Sequence, residues 1–258
     1  MAEFDTIAQQ YDTDFTHSQI GSLQRAQVWE YLDLQDWQGK NIIETNCGTG
    51  EDALIFAKKG ANILATDISE EMLKVSAQKL SAYPQAQIAR WNLNEPPPDI
   101  SSSFDFLFSN FGGWNCLTDK EITSLGKHCH SLLKEQGGMT LVIMPRFCVW
   151  ESLYFLAKGR LKAAFRRLST QAIPAKLADN YVDTYYYSPA QIQQFLQPYF
   201  KVTHYQAIGF FVPPSYLEPF FRKRSKLLAF LAKCEKKCKH FSLLAFCSDH
   251  YLIHLEKK

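Results

Sequence analysis

The chain has 258 residues, 46% of them hydrophobic and 21% charged, which suits one large globular domain or one domain with a sizeable insertion. Formal net charge is +2, too mild an excess to point to nucleic-acid binding. No apolar run reaches the roughly 18 residues that span a bilayer. The opening MAEFDTIAQQYDTDF is acidic and polar, unlike a secretory signal. Seven scattered cysteines read as reduced thiols of a cytoplasmic protein.

Residues 4–38 read as helical, with Phe4, Ile7, Ala8 and Tyr11 at helical spacing. A second helix carries Leu23, Ala26, Val28, Trp29, Tyr31 and Leu32. Gly39-Lys40-Asn41 is a turn into a short strand, Ile42-Ile43-Glu44. A helix over 51–59 ends at Gly60 as its C-cap. The strand 62–66 closes on Asp67, and Ser69 with Glu70 and Glu71 starts a helix to about Leu80. Further strands fall at 86–91, 104–108 and 139–144, with a break at Pro96-Pro97-Pro98, a helix over 119–135 and a turn at Gly137-Gly138. Strands alternating with helices predict a parallel, doubly wound α/β sheet.

After Pro145 the alternation stops. Residues 149–170 predict one or two helices, 182–187 a strand, and Ser188-Pro189 the start of a helix through Leu196. Strand character over 201–212, a helical stretch over 215–240 and a last strand at 250–255 complete the chain.

The chemistry points to Glu44-Thr45-Asn46-Cys47-Gly48-Thr49-Gly50, the first strand-to-helix turn. Ligands bind at such carboxyl-end crevices. Gly48 and Gly50 let backbone approach a ligand, and the following helix offers free N–H groups to an anion. Asp67, 17 residues after Gly50, can accept hydrogen bonds from ribose hydroxyls. Gly48-x-Gly50-x-x-Ala53 also fits the dinucleotide fingerprint, so an NAD(P)-dependent oxidoreductase stands as an alternative.

Glu44-x-Asn46-x-Gly48-x-Gly50 resembles the E/D-x-G-x-G-x-G motif of class I S-adenosylmethionine (SAM)-dependent methyltransferases. Phe4-Asp5-x-Ile7-Ala8-x-x-Tyr11-Asp12 resembles the N-terminal signature of their ubiquinone/menaquinone-biosynthesis-like, small-molecule members. Phe104 to Phe111 resembles their fourth motif, and Lys134-Glu135-Gln136-Gly137-Gly138 their "LKPGG" turn. The resemblance covers about residues 1–145. It implies a Rossmann-like, seven-stranded mixed sheet with an antiparallel last strand and SAM as the cofactor. It also implies roles. Glu44, Asn46, Gly48 and Gly50 would surround the methionine part, with Tyr11 as a lid contact to its carboxylate. Asp67 would hold the ribose, Ile68 and Met72 would pack on adenine, and Asn92-Leu93 would meet its amino group. Ser109 and Asn110 would face the sulfonium and the acceptor. Two residues depart from the pattern: Asn46 stands for the loop's first glycine, and Asn92 for an acid. Asn tolerates left-handed backbone, and its amide oxygen still accepts a hydrogen bond.

Methyl transfer from a sulfonium needs mainly alignment, with a base where the acceptor carries a proton. His17 is the candidate base for an oxygen acceptor, and Trp114 and Asn115 are the candidate acceptor contacts, Trp114 by stacking. The acceptor is expected to be a small molecule, aromatic or lipid-like. Residues 1–38 read as an N-terminal lid and 39–258 as the catalytic domain, with a substrate cap inserted at about 146–187. That cap is basic and amphipathic, from Lys158 to Lys176, a lid for an apolar or acidic acceptor or a surface that touches membrane. Cys234, Cys238 and His240 lack the tight pairing of a zinc site, so no metal is expected. A non-catalytic SAM-binding protein is a further alternative, and either a monomer or a homodimer fits.

Overall fold

The computed structural model describes residues 4–98, 103–177 and 180–258. Its strands are β1 (Asn41–Glu44), β2 (Asn62–Asp67), β3 (Ala86–Arg90), β4 (Phe104–Ser109), β5 (Leu133–Ile143), β6 (Ile173–Leu177), β7 (Asn180–Thr184), β8 (Phe200–Ile208) and β9 (His250–Lys257). Seven form one sheet in the order β3-β2-β1-β4-β5-β9-β8. β1 to β5 pair in parallel, and β9 runs antiparallel between β5 and β8. The expected sheet, with its reversed last strand, is what the chain forms. An all-parallel dinucleotide fold has no such inserted strand.

The helices are α1 (Gln19–Leu32), α2 (Glu51–Lys58), α3 (Glu70–Leu80), α4 (Asp119–Leu132), α5 (Val149–Ala157), α6 (Leu161–Ala164), α7 (Pro189–Leu196), α8 (Glu218–Phe221) and α9 (Ser225–Cys238). Because strand side chains alternate between faces, Ile42, Phe106, Phe108 and Val142 pack with Trp29, Leu32 and Phe56 of α1 and α2. Ile43, Leu107, Leu141 and Ile143 pack on the other face with Ile122, Leu125, Ile192 and Leu196 of α4 and α7. Two apolar layers thus sandwich the sheet.

The N-terminal helix is shorter than its spacing predicts. The chain makes a 3₁₀ turn at Asp5–Ile7 and a π-turn at Asp12–Thr16 before α1 begins. Ser18 sets the start: its hydroxyl accepts from the Gly21 N–H at 3.0 Å. Gly21 lies so close to the Phe15 carbonyl that a Cβ would sit 2.1 Å from it. α1 itself belongs to the core, and of the described residues before it Asp5 and Asp12 reach Ser69 and Thr49 of the two loops. The strand expected at 182–187 does not join the main sheet. β7 pairs with β6 in a separate antiparallel hairpin, and Pro174 within β6 removed the sequence signal for its partner. Gly159 at φ +68° splits the cap into α5 and α6.

Candidate active site

β1 and β4 deliver the first loop and the 109–112 segment to the same carboxyl edge. Asn46, Gly48 and Gly50 all adopt positive φ, at 50°, 53° and 76°. Asn46, in the first glycine's place, is held by its own amide: Oδ1 accepts from Ser109 Oγ at 2.7 Å and Nδ2 donates to the Asn110 carbonyl at 3.1 Å. A Cβ on Gly113 would lie 2.1 Å from the Asn46 side chain. The volume added at 46 is therefore offset by a glycine at 113. The Asp67 carboxylate accepts from the Gly48 N–H and the Ser69 N–H, each at 2.9 Å.

The two loop glycines carry different constraints. A Cβ on Gly50 would sit 2.2 Å from Ser76 Oγ, whereas one on Gly48 would meet nothing within 4 Å. Gly50→Ala should therefore cost about 2–3 kcal/mol, combining overpacking and left-handed backbone. Gly48→Ala should cost only about 1 kcal/mol but place a methyl in the open crevice. Urea melts beside ligand titrations will separate them; equal stability losses would contradict the packing read here.

Beneath the loop lies a polar cluster. Asp52 at the start of α2 pairs with Arg25 of α1, and accepts from Trp29 Nε1 at 2.7 Å and Asn110 Nδ2 at 2.9 Å. Glu44 is buried at 1% exposure. Its Oε2 and the Arg25 Nε have no hydrogen-bond partner among the described residues. Burial lifts the Glu44 carboxyl well above its ordinary range; Asp52 adds to this and Arg25 opposes it. Burial likewise raises Asp67, against the backbone N–H groups that favour its charge.

The N-terminal segment is fastened over the loop. Asp12 accepts from Thr49 Oγ1 at 2.6 Å and pairs with Lys79 at 2.6 Å. Asp5 accepts from Ser69 Oγ at 2.6 Å. Tyr11 packs on Phe15, Phe15 on Phe111, and Arg25 lies 5.1 Å over the Phe111 ring. Burial pushes the Tyr11 hydroxyl up to about 12, with Arg25 opposing and Asp67 and Asp52 adding. Tyr11 thus stands among the loop's charges.

The structure brings Tyr11, Glu44, Asn46, Gly48, Gly50, Asp67 and Ser109 together. Met72 is buried and Ile68 is 36% exposed. Asn92 donates to Glu95 Oε1 at 2.9 Å and accepts from the Asn94 N–H at 3.2 Å, shaping its own turn; Leu93 packs against the core. Asn110 sits in the cluster, but its side chain is given to Asp52 and to the Phe111 N–H. It braces the loop rather than facing open space. Three expectations need correction. Trp114 is 0% exposed with Nε1 donating to Thr45 Oγ1, so it fills the core and offers no stacking face. Asn115 spends its carboxamide on Met144 and Tyr185, joining the end of β5 to the chain that returns from β7. His17 is exposed in a groove between α1 and α2 lined also by Arg25, Trp29, Glu51 and Lys59, and among the described residues no hydrogen bond joins it to Ser109 or Asn110. The sequence reading missed Arg25 and Asp52; a lone arginine in a predicted apolar helix and the acid one residue inside α2 were the available signals. Among the described residues no group of His, Cys, Asp and Glu could hold a metal.

Residues 42–137 match the family model described as a methyltransferase domain. The sheet order above is the one expected of the class I SAM-dependent methyltransferases that this segment resembles. The chain is 29% identical over 111 residues to a demethylmenaquinone methyltransferase of Clavibacter sepedonicus, covering 43% of this chain and 45% of that protein. It is 28% identical over 109 residues to the demethylmenaquinone methyltransferase of Lysinibacillus sphaericus, covering 41% and 44%. It thus matches less than half the length of these curated relatives. The fold is similar to DhpI in its SAH complex (TM-score 0.61, 14% identity, 98% and 93% covered). It is also similar to the magnesium protoporphyrin IX methyltransferase of Synechocystis PCC 6803 with bound SAH (TM-score 0.57, 15% identity, 96% and 88% covered).

Proposed function

We propose that the chain binds SAM in this crevice and transfers its methyl group to a small, apolar, flat acceptor. The observation that carries the reading is a pair of buried atoms without a hydrogen-bond partner among the described residues, Oε2 of the Glu44 carboxyl and Nε of the Arg25 guanidinium. Each costs free energy while unsatisfied. An amino-acid zwitterion satisfies both, its ammonium facing Glu44 and its carboxylate facing Arg25 with Tyr11 nearby. Asp67 keeps lone pairs beyond its two backbone bonds for ribose hydroxyls, and Gly48 leaves the approach open.

SAM supplies a methyl group already activated by its sulfonium charge. The protein's own part is to orient and to exclude water. Asn46 and Ser109 fix the floor beneath the transferred group, and residues 4–17 close over it. For an acceptor that carries a proton, His250 is better placed than His17. It starts β9 at the same edge, its ring packs 5.5 Å from Phe111, and its Nδ1 lies 3.3 Å from Asp249. We propose oxygen as the receiving atom; the relatives named as demethylmenaquinone methyltransferases favour only the quinol- or phenol-like class of acceptor.

The test is calorimetry with SAM, S-adenosylhomocysteine and NAD, followed by turnover with a panel of phenols and quinols. SAM should bind and NAD should not; release of S-adenosylhomocysteine should depend on the acceptor. Binding of NAD alone would support the oxidoreductase alternative, and binding without turnover the non-catalytic one. Glu44→Gln should weaken SAM about 10–100-fold, the worth of a charged hydrogen bond of about 1.5–3 kcal/mol. The same variant should gain stability at neutral pH. A carboxyl raised on folding contributes stability below its unfolded range and loses it as pH rises, so the gain over the parent should vanish in acid. Melts at pH 4 and pH 8 read this directly.

A further inference from the structure

The cap and the C-terminal helices share one unusual distribution of charge. Residues 149–175 contain a single acid, Glu151, and residues 213–248 contain two, Glu218 and Glu235. All three are buried. Glu151 pairs with Arg166 and Arg167. Glu218 accepts from the N–H groups of Gln19 and Ile20 at the start of α1. Glu235 accepts from the N–H groups of Phe210 and Val212. Every formally charged exposed side chain of these two segments is therefore cationic. Lys226, Lys233 and Lys237 on α9 are exposed and have no acidic partner among the described residues.

Large apolar side chains stand among these cations. Leu153 and Leu161 of the cap are 58% and 66% exposed, and Phe230 of α9 is 60% exposed. Phe220 and Leu227 are exposed beside them. The two segments are contiguous: Tyr154 of α5 packs on Tyr216 at 5.5 Å, and Trp150 packs on Phe221 of α8 at 6.0 Å. Lys158 lies over Tyr154 and Arg224 over Phe220. The cap leaves the carboxyl end of β5, and α8 and α9 follow the end of β8 that lies at the same sheet edge.

We propose that this face binds the surface of an anionic lipid bilayer, its leucines and phenylalanines entering the acyl boundary while its lysines and arginines meet phosphate headgroups. A second copy presenting the same face would bring like charges together. Nucleic-acid phosphates would suit the cations but leave the aliphatic side chains in water. The binding is independent of methyl transfer.

Flotation of the full chain with vesicles of phosphatidylglycerol and phosphatidylcholine tests it. The chain should float with phosphatidylglycerol vesicles, lose this in high salt, and ignore pure phosphatidylcholine. The triple variant Lys226→Gln, Lys233→Gln, Lys237→Gln should lower the partition coefficient about 100-fold, at about fivefold per lysine near the surface. Phe230→Ser should lower it about tenfold. These positions are exposed, so melts should match the parent. Equal flotation of the triple variant, no flotation with either vesicle, tight titration of duplex DNA instead, or salt-resistant dimers that exclude vesicles would each overturn the proposal.

Discussion

Asp67→Ala should weaken SAM binding about 100-fold or more while leaving the sheet folded. The carboxylate serves two purposes. It accepts from Gly48 and Ser69, fixing the loop in its left-handed turns, and on the proposed reading it also holds the ribose. Hydrogen bonds to a charged acceptor contribute about 1.5–3 kcal/mol each, so losing the ribose contacts and loosening the loop compound one another. Stability should fall less than affinity, because burial already disfavours the charged carboxyl and its removal relieves that cost. Asp67→Asn is the sharper control: it keeps the volume but replaces one acceptor with a donor, which opposes one of the two N–H groups. Calorimetry with SAM and thermal melts read both quantities. An alanine variant that binds like the parent would place the ribose elsewhere.

Arg167→Met should produce the largest loss of stability, roughly 3–5 kcal/mol, as for breaking a buried ion pair from one side. The guanidinium is buried. It bonds Glu151 Oε2 at 3.0 Å, Asp249 Oδ1 at 2.9 Å and the Asp249 carbonyl at 2.9 Å. Burial pushes the Glu151 carboxyl up, but Arg166 and Arg167 beside it hold it below its ordinary range. Burial acts on Asp249 likewise, and His250 and Arg167 hold it lower still. Both carboxylates therefore contribute stability above their unfolded range, and this is lost as pH falls through their folded values. The variant's deficit should accordingly be full at pH 7 and shrink in acid as both groups protonate. Urea melts at pH 7 and pH 4 check the sign. A deficit independent of pH would show that methionine packing, not charge, is the defect.

Arg167 also shows why the cap was only partly legible. Its run of basic residues reads as a solvated or membrane-facing surface. Folding draws Arg167 inward across 82 residues of sequence to Asp249 and leaves Lys158, Arg160 and Lys162 outside. No local pattern distinguishes these roles. Trp114 and Asn115 illustrate the same limit. Their position after the fourth strand brings Trp114 to Thr45 of the first loop, but did not say which way either side chain turns. Asn115 is committed to the carbonyls of Met144 and Tyr185, which only the returning chain supplies. By contrast, Ser69 and Ser188 cap their helices as their sequence signals predict, because capping involves residues only three apart.

The sequence by itself determined the alternation of strand and helix, the glycine turn after β1 and the acid after β2. Each depends on local backbone preference and on side-chain periodicity. Only the tertiary structure decided that Asn46 is matched by a glycine 67 residues away, that Arg25 meets Asp52 under the loop, and that His17 stays outside. Those outcomes depend on which surfaces the strand order brings into contact, and burial of a polar atom acquires its cost only once water has been excluded by distant parts of the chain.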